Sequence, residues 1–270
     1  MTDRIELLII DPQKDFCDPK GSLFVVNADK DMGRLSAMIK KFKKLLYDIH
    51  VTLDSHHFVD IAHPVFWIDS KGNHPGPFSI ITKDDVKSGK WTTTNPTFRK
   101  RGLEYVTKLE GNGRYPLCVW PPHCLIGSWG YTVYDSIFES LLEWENEFAI
   151  VDFVTKGSNP WTEHYSAVQA DVPDPNDPDT QLNQRLISTL QNADTILLSG
   201  EARSHCLANT VRDIANNFGE ENIKKMVLLT DATSDVGDQP GSTMFKDMGE
   251  GFVKEMTKRG MKLSTTKDFF

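Results

Sequence analysis

Apolar residues along this chain come in two alternating patterns: short dense runs, and longer stretches with an apolar residue every three or four positions. Ile5-Glu6-Leu7-Leu8-Ile9-Ile10 is too densely apolar for a half-exposed strand. It predicts a central, parallel one that Pro12 stops, leaving Asp11 at its carboxyl end. Residues 30–47 carry Leu35, Met38, Ile39, Phe42, Leu45 and Leu46 on one helical stripe with lysines opposite. Residues 49–53 predict a second strand. Phe148-Ala149-Ile150-Val151-Asp152-Phe153-Val154 predicts a third, which delivers Lys156 and then Gly157. Leu182, Leu186, Ile187 and Leu190 mark a covering helix after an exposed Pro- and Asp-rich loop over 171–179.

The same alternation runs to the C-terminus. Asp194-Thr195-Ile196-Leu197-Leu198 predicts a buried strand, and Leu207, Val211, Ile214, Ala215 and Phe218 predict the helix that follows. Met226-Val227-Leu228-Leu229 is a further strand, residues 244–258 a helix, and residues 261–264 an edge strand. Strands alternating with helices imply a parallel sheet with helices on both faces and right-handed crossovers. Residues 67–117 show poor periodicity and frequent Gly, Pro, Thr and Lys. They are expected as a loop-rich insertion in a single domain spanning 1–270.

Composition narrows the function. The 270 residues are 39% hydrophobic and 25% charged, which fits a globular chain, and the net charge of −8 with no long basic run argues against nucleic-acid binding. No apolar run has the length of a membrane span, and the N-terminus lacks the apolar core of a secretory signal. Cys17, Cys118, Cys124 and Cys206 are too few and too scattered for a disulfide scaffold. A cytoplasmic protein with reduced thiols is expected.

The polar residues at the predicted strand ends bring the chemistry. In a parallel sheet all carboxyl ends share one rim, where ligands collect. Asp11, Lys156 and Cys206 fall on that rim. A thiol of ordinary pKa, about 8.5, is mostly protonated at neutral pH and needs help to act as a nucleophile. Asp11 can accept its proton, and Lys156 can stabilise both the carboxylate and the thiolate. The backbone N–H groups of Ala202 and Cys206, where strand turns into helix, can receive a developing oxyanion. Asp54 and His56, two residues apart after the second strand, can reach one metal ion, and their mix of ligands suits zinc, iron or manganese. His63 is near enough to add a ligand or a substrate contact. In Cys118-Val119-Trp120-Pro121-Pro122-His123-Cys124, His123 is the better third ligand.

Five short motifs then occur in one order: Asp11 after an apolar strand, Asp54-x-His56, Trp120 to Gly130 with Trp-Pro-x-His-Cys character, Lys156-Gly157, and Gly200-x-Ala202-x-x-x-Cys206. Between Ile5 and about Ser234 the chain resembles the nicotinamidase/isochorismatase-like cysteine hydrolases. The resemblance implies a three-layer α/β/α fold around a mostly parallel six-stranded sheet, an isochorismatase-like variant of Rossmann-like topology. It implies Asp11, Lys156 and Cys206 as the catalytic triad, and Asp54, His56 and His123 as ligands of a divalent metal. Zinc comes first, with iron or manganese as alternatives. It also suggests a cis peptide between Glu201 and Ala202.

The activity it implies is metal-dependent deamidation of nicotinamide to nicotinate and ammonia through a Cys206 thioester, in NAD salvage. Phe16, Trp129 and Tyr165 are then candidate neighbours of the substrate ring. The expected partner is a small amide. Nucleic acid and membrane are not expected partners, and a homo-oligomer is left open. Two alternatives stand beside this reading: a metal-free amidase acting on another small amide or ureido compound, and a non-catalytic binding protein of the same fold. Glu201 stands where relatives usually have an aliphatic residue, and His205 directly precedes the cysteine. Both are expected to bear on the pocket floor.

Overall fold

A computed structural model describes residues 3–113 and 115–270. Six strands form one sheet: β1 (Ile5–Ile10), β2 (Leu46–Asp54), β3 (Asp152–Lys156), β4 (Thr195–Gly200), β5 (Met226–Leu229) and β6 (Lys262–Ser264). Their order is β6-β5-β4-β1-β2-β3, and every neighbouring pair is parallel. The chain builds outward from β1 through β2 to β3. It then crosses back to lay β4 on the other side of β1 and continues to β5 and β6. The order therefore reverses between β1 and β4, the switch point where open α/β sheets bind ligands. The dense apolar runs end here as expected: Leu7 to Ile10 of β1 and Ile196 to Leu198 of β4 are buried without exposure, covered on both faces.

The long helices are α1 (Ala28–Phe42), α2 (Arg99–Gly111), α3 (Asp135–Glu145), α4 (Gln184–Gln191), α5 (Cys206–Phe218) and α6 (Met244–Lys258). Helices α1 and α3 pack against each other, and α5 packs against both α4 and α6. Among the described residues no helix is long and apolar enough to cross a membrane.

Two expected boundaries are corrected. The helix expected over 30–47 stops at Phe42, because Leu46 already pairs with Ile5 in the sheet and Leu45 is exposed. An apolar strand directly after an apolar helical stripe prolongs the stripe in sequence without prolonging the helix. The third strand begins at Asp152, not Phe148. Phe148 lies in a left-handed turn (φ 62°) fully in solvent, and Ile150 is also exposed, so apolar character there reports no burial. Residues 67–117 hold more regular structure than a loop-rich reading anticipates. They contain α2, an antiparallel pair Trp67–Ile68 with Thr92–Thr93, and another of Ile80–Ile81 with Leu117–Cys118.

Candidate active site

The rim of the sheet sets the site. In the parallel register Asp54 lies beside Lys156, and Ile10 lies beside Gly200, so the residues following β1, β2, β3 and β4 meet at one edge. Glycine is needed twice. At Gly200 (φ 103°) a Cβ would sit 2.0 Å from the Ile10 carbonyl oxygen. At Gly157 (φ 82°) it would sit 2.8 Å from Asp54 Oδ1.

Lys156 is the hub. Its Nζ lies 2.9 Å from Asp11 Oδ2, 3.0 Å from Asp54 Oδ1 and 3.7 Å from Cys206 Sγ. Asp11, Lys156 and Cys206 are all buried. Thr52 orients the acid from the next strand: its Oγ1 accepts the Asp11 N–H at 3.0 Å and donates to Asp11 Oδ1 at 2.5 Å. Asp11 Oδ2 is left facing only the ammonium. One cation between two carboxylates cannot satisfy both. Burial works against the charge of Asp54, yet His56 and Lys156 hold it well below the usual carboxylate range. For Asp11 burial wins over the Lys156 charge, and its pKa is raised. Burial likewise raises the Cys206 thiol well above its ordinary value, against the pull of Lys156. The resting pair is a thiol next to a carboxylate that holds a proton more readily than most.

Asp54 turns its second oxygen to two imidazoles. His56 Nε2 lies 3.0 Å and His123 Nε2 3.3 Å from Asp54 Oδ2. The Nδ1 of His123 meets the Pro121 carbonyl at 2.9 Å, and that of His56 meets Asp60 Oδ2 at 3.0 Å. Both acceptors require Nδ1 to carry hydrogen, which leaves Nε2 as the ligand atom of each ring. Without a cation the Asp54 and Asp60 carboxylates outweigh burial and raise His56 well above the usual imidazole value, so a bound cation would take the place of the Nε2 proton. Three electron-rich atoms converging on one point, with their far sides held by outer partners, fit a divalent cation. His63 lies near both rings, tilted against His56 at 5.1 Å and edge-on to His123 at 5.6 Å, with its Nε2 buried and without a hydrogen-bond partner among the described residues. It stands behind the trio of Asp54, His56 and His123.

A narrow cleft lies over Cys206, lined among others by Phe16, Trp120, Tyr165, His123, Glu163 and His205. Phe16 meets His123 edge-on at 5.3 Å, and Tyr165 is fixed by a 2.7 Å bond from Trp120 Nε1 to its hydroxyl. Trp129 is a correction. Its ring lies half-exposed outside the cleft beneath Lys14 Nζ, at 5.5 Å, because the Gly127 turn carries it to the surface. The aromatic wall includes Trp120 instead, whose place beside the rigid Pro121-Pro122 pair is the only signal the sequence carries for it. Glu163 gave no signal in sequence; burial pushes it up to about 8. Of the two departures, His205 lines the cleft, whereas Glu201 points away toward Ser234. The peptide between Glu201 and Ala202 is cis, as the resemblance suggested. Ala202 accepts the N–H groups of His205 and Leu207 on its carbonyl, so the turn is closed onto the start of α5.

No family model matches the chain. The chain is similar to the curated nicotinamidase of Saccharomyces cerevisiae, 27% identical over 236 residues, covering 87% of this chain and 89% of that protein. It shares the fold of the yeast nicotinamidase bound to the inhibitor nicotinaldehyde (TM-score 0.66, 18% identity, 97% of this chain and 99% of that one). It also shares the fold of a Pyrococcus horikoshii pyrazinamidase in complex with zinc (TM-score 0.55, 20% identity, 97% and 99%). The α/β fold with a parallel six-stranded sheet is therefore that of the nicotinamidases, and the resemblance read from the five motifs stands.

Proposed function

We propose that this chain, built on the nicotinamidase fold and similar in sequence to the yeast enzyme, is an amidohydrolase that converts nicotinamide to nicotinate and ammonia. One observation carries the reading: a single buried ammonium within 2.9 Å of Asp11, 3.0 Å of Asp54 and 3.7 Å of Cys206, below an aromatic cleft. Burying an ammonium, two carboxyl groups and a thiol together is costly, and under a cleft at the sheet's ligand-binding edge that arrangement supports a catalytic use.

The Cys206 thiol gives its proton to Asp11 Oδ2 as sulfur adds to the amide carbonyl carbon. Lys156 keeps the negative charge that moves between sulfur and carboxylate within reach of one cation. The N–H groups of Ala202 and Cys206 receive the oxyanion. Asp11 returns the proton to the amine as the C–N bond breaks, releasing ammonia and leaving a thioester. A water, deprotonated by Asp11, adds to the thioester. Collapse breaks the C–S bond, frees nicotinate and restores the thiol. Phe16, Trp120 and Tyr165 sandwich the ring and exclude bulk water.

Asp54, His56 and His123 would hold the divalent cation, with zinc favoured because two imidazoles and one carboxylate leave an open position. When bound, it supplies a Lewis acid for the ring nitrogen, fixing the ring in register with Cys206. A reduced, cytoplasmic setting suits the four free cysteines.

The test is ammonia release by purified protein from nicotinamide, from an aliphatic amide and from a ureido compound, with and without chelator. Chelator-sensitive turnover selective for nicotinamide is expected. Selective turnover of the ureido compound in chelator would replace this reading with the metal-free amidase. No turnover, with Cys206 alkylating no faster than a free thiol, would replace it with a binding protein.

A further inference from the structure

Behind the oxyanion turn, on the side away from the cleft, two buried carboxyl groups meet. Glu201 has no exposure and Asp31 of α1 has 2%. Glu201 Oε2 accepts the Ser234 N–H at 3.0 Å, and Asp31 Oδ2 accepts the Ser234 hydroxyl at 2.6 Å. Arg34 pairs with Asp31, and Arg203 pairs with Asp235. Glu201 has no cation of its own, and its Oε1 receives no donor among the described residues. The group its carboxyl faces is that of Asp31. Two carboxyl groups meeting with no hydrogen between them repel, whereas one proton turns the contact into a short hydrogen bond.

The turn itself hangs on this corner. Glu201 N–H donates to the Ile10 carbonyl at 2.8 Å, one residue before Asp11. Arg203 N–H donates to the Ser234 carbonyl at 2.8 Å. Ser234 thus grips the turn at both Glu201 and Arg203, and Glu201 ties the general base strand to the segment that carries Ala202 and Cys206.

We propose that Glu201 is a positioning residue: as a neutral carboxylic acid hydrogen-bonded to the Asp31 carboxylate, it fixes the turn that presents the Ala202 and Cys206 N–H groups. This rests on the amidohydrolase reading for its catalytic consequence, but not for the proton itself. Ionisation of Glu201 places a second negative charge against Asp31, with Asp235 nearby, Arg34 and Arg203 already committed, and the Cys17 thiol, itself facing Asp11 and Asp29, alongside. The turn then loosens. Burial, followed by the Asp31 charge, pushes the Glu201 carboxyl well above the usual range, which keeps the proton in place at neutral pH.

The experiment compares wild type with Glu201→Ala, Glu201→Gln and Asp31→Asn. Glu201→Ala is expected to lower kcat at neutral pH by about tenfold or more with KM within about twofold, and Glu201→Gln to restore most of it, since the amide still accepts from Ser234 and donates to Asp31. Glu201→Gln leaves no proton to lose at this corner, and Asp31→Asn leaves no charge for an ionised Glu201 to repel, so in both the alkaline fall of kcat moves upward by about one pH unit or more. Superimposed profiles for wild type and both variants, or full activity in Glu201→Ala, would overturn the proposal.

A second readout needs no activity. Folded wild type keeps a proton that the unfolded chain has released above the ordinary glutamate range. Its Tm should therefore fall relative to Glu201→Gln, which has no such proton, as pH rises from about 6 to about 9. A constant offset would overturn the shared proton. If wild type hydrolyses no amide yet the Tm difference grows with pH, the amidohydrolase reading fails and the carboxyl pair stands. Should Glu201→Gln not fold, the kcat profile of Asp31→Asn against wild type carries the test.

Discussion

Lys156 carries one positive charge against the carboxylates of Asp11 and Asp54, and that imbalance decides which acid is charged and which moves a proton. Asp54 is secured a second time by His56, so Asp11 is the group left able to take the thiol proton. Removing the ammonium should therefore do two things. Lys156→Met is expected to abolish ammonia release and to cost about 3–5 kcal/mol of stability, read by urea unfolding, because it leaves buried carboxylates without their cation. Thr52→Val tests orientation alone. It keeps the volume of the side chain but removes the contacts to the Asp11 N–H and Oδ1, and should lower kcat about tenfold with KM little changed in steady-state kinetics. These roles were legible in sequence to different depths. Asp11, Lys156 and Cys206 were placed by a single rule, that residues following parallel strands share a rim. Thr52 was not, because a threonine inside a strand reads first as a β-former.

At the scale of elements, the expectations that held were those whose apolar residues are buried: the strands β1, β4 and β5, and the apolar stripes of helices α5 and α6. Those that slipped lay where apolar residues face water or change partners, at Leu45–Leu46, Phe148–Ile150 and Trp129. Helix α2 was unreadable because its start, Arg99-Lys100-Arg101-Gly102, is charged and broken by glycine, yet that glycine is structural. A Cβ at Gly102 would lie 2.9 Å from Thr93 Cγ2 and 3.3 Å from the Trp67 ring, whereas one at Gly33 in α1 would meet nothing within 4 Å. Differential scanning calorimetry should show opposite signs. Gly102→Ala is expected to destabilise by about 1–3 kcal/mol through overpacking, and Gly33→Ala to stabilise by up to about 1 kcal/mol through helix propensity.

Across the other end of the sheet, His50 of β2 lies between Glu6 of β1 (3.3 Å) and Asp152 of β3 (2.9 Å). Burial opposes its charge, but the two carboxylates raise it from 6.5 to about 9. The folded pKa is above the unfolded one, so the stabilisation is complete below about pH 6.5, falls as pH rises and is gone above about pH 9. On the order of 3 kcal/mol is at stake. Denaturant midpoints measured from pH 6 to pH 9.5 should fall in wild type relative to His50→Asn, and a parallel pair of curves would remove His50 from the account.

The whole molecule joins two sites through one residue. Asp54 holds Lys156 with one oxygen and faces His56 and His123 with the other, so the proposed cation site and the Lys156–Cys206 pair share a carboxylate. The segment over 67–117, unreadable as periodicity, lines no part of the cleft but supports its wall from behind. Trp120 follows directly from its last strand, and the Tyr105 hydroxyl of α2 accepts the N–H of Glu163 at 3.1 Å. That arrangement depends on contacts far apart in sequence, which no local pattern records. His123→Ala is expected to lose bound metal, measured by elemental analysis, and to raise KM for nicotinamide about tenfold or more while Cys206 remains alkylatable.

The most direct measurement on the central claim is to quench the protein in acid during turnover of nicotinamide and map the adduct by mass spectrometry. A nicotinoyl thioester on Cys206, absent when Cys206→Ala is treated alike and releases no ammonia, is the predicted result. Undiminished ammonia release by Cys206→Ala, or an acyl group carried on another residue, would contradict it.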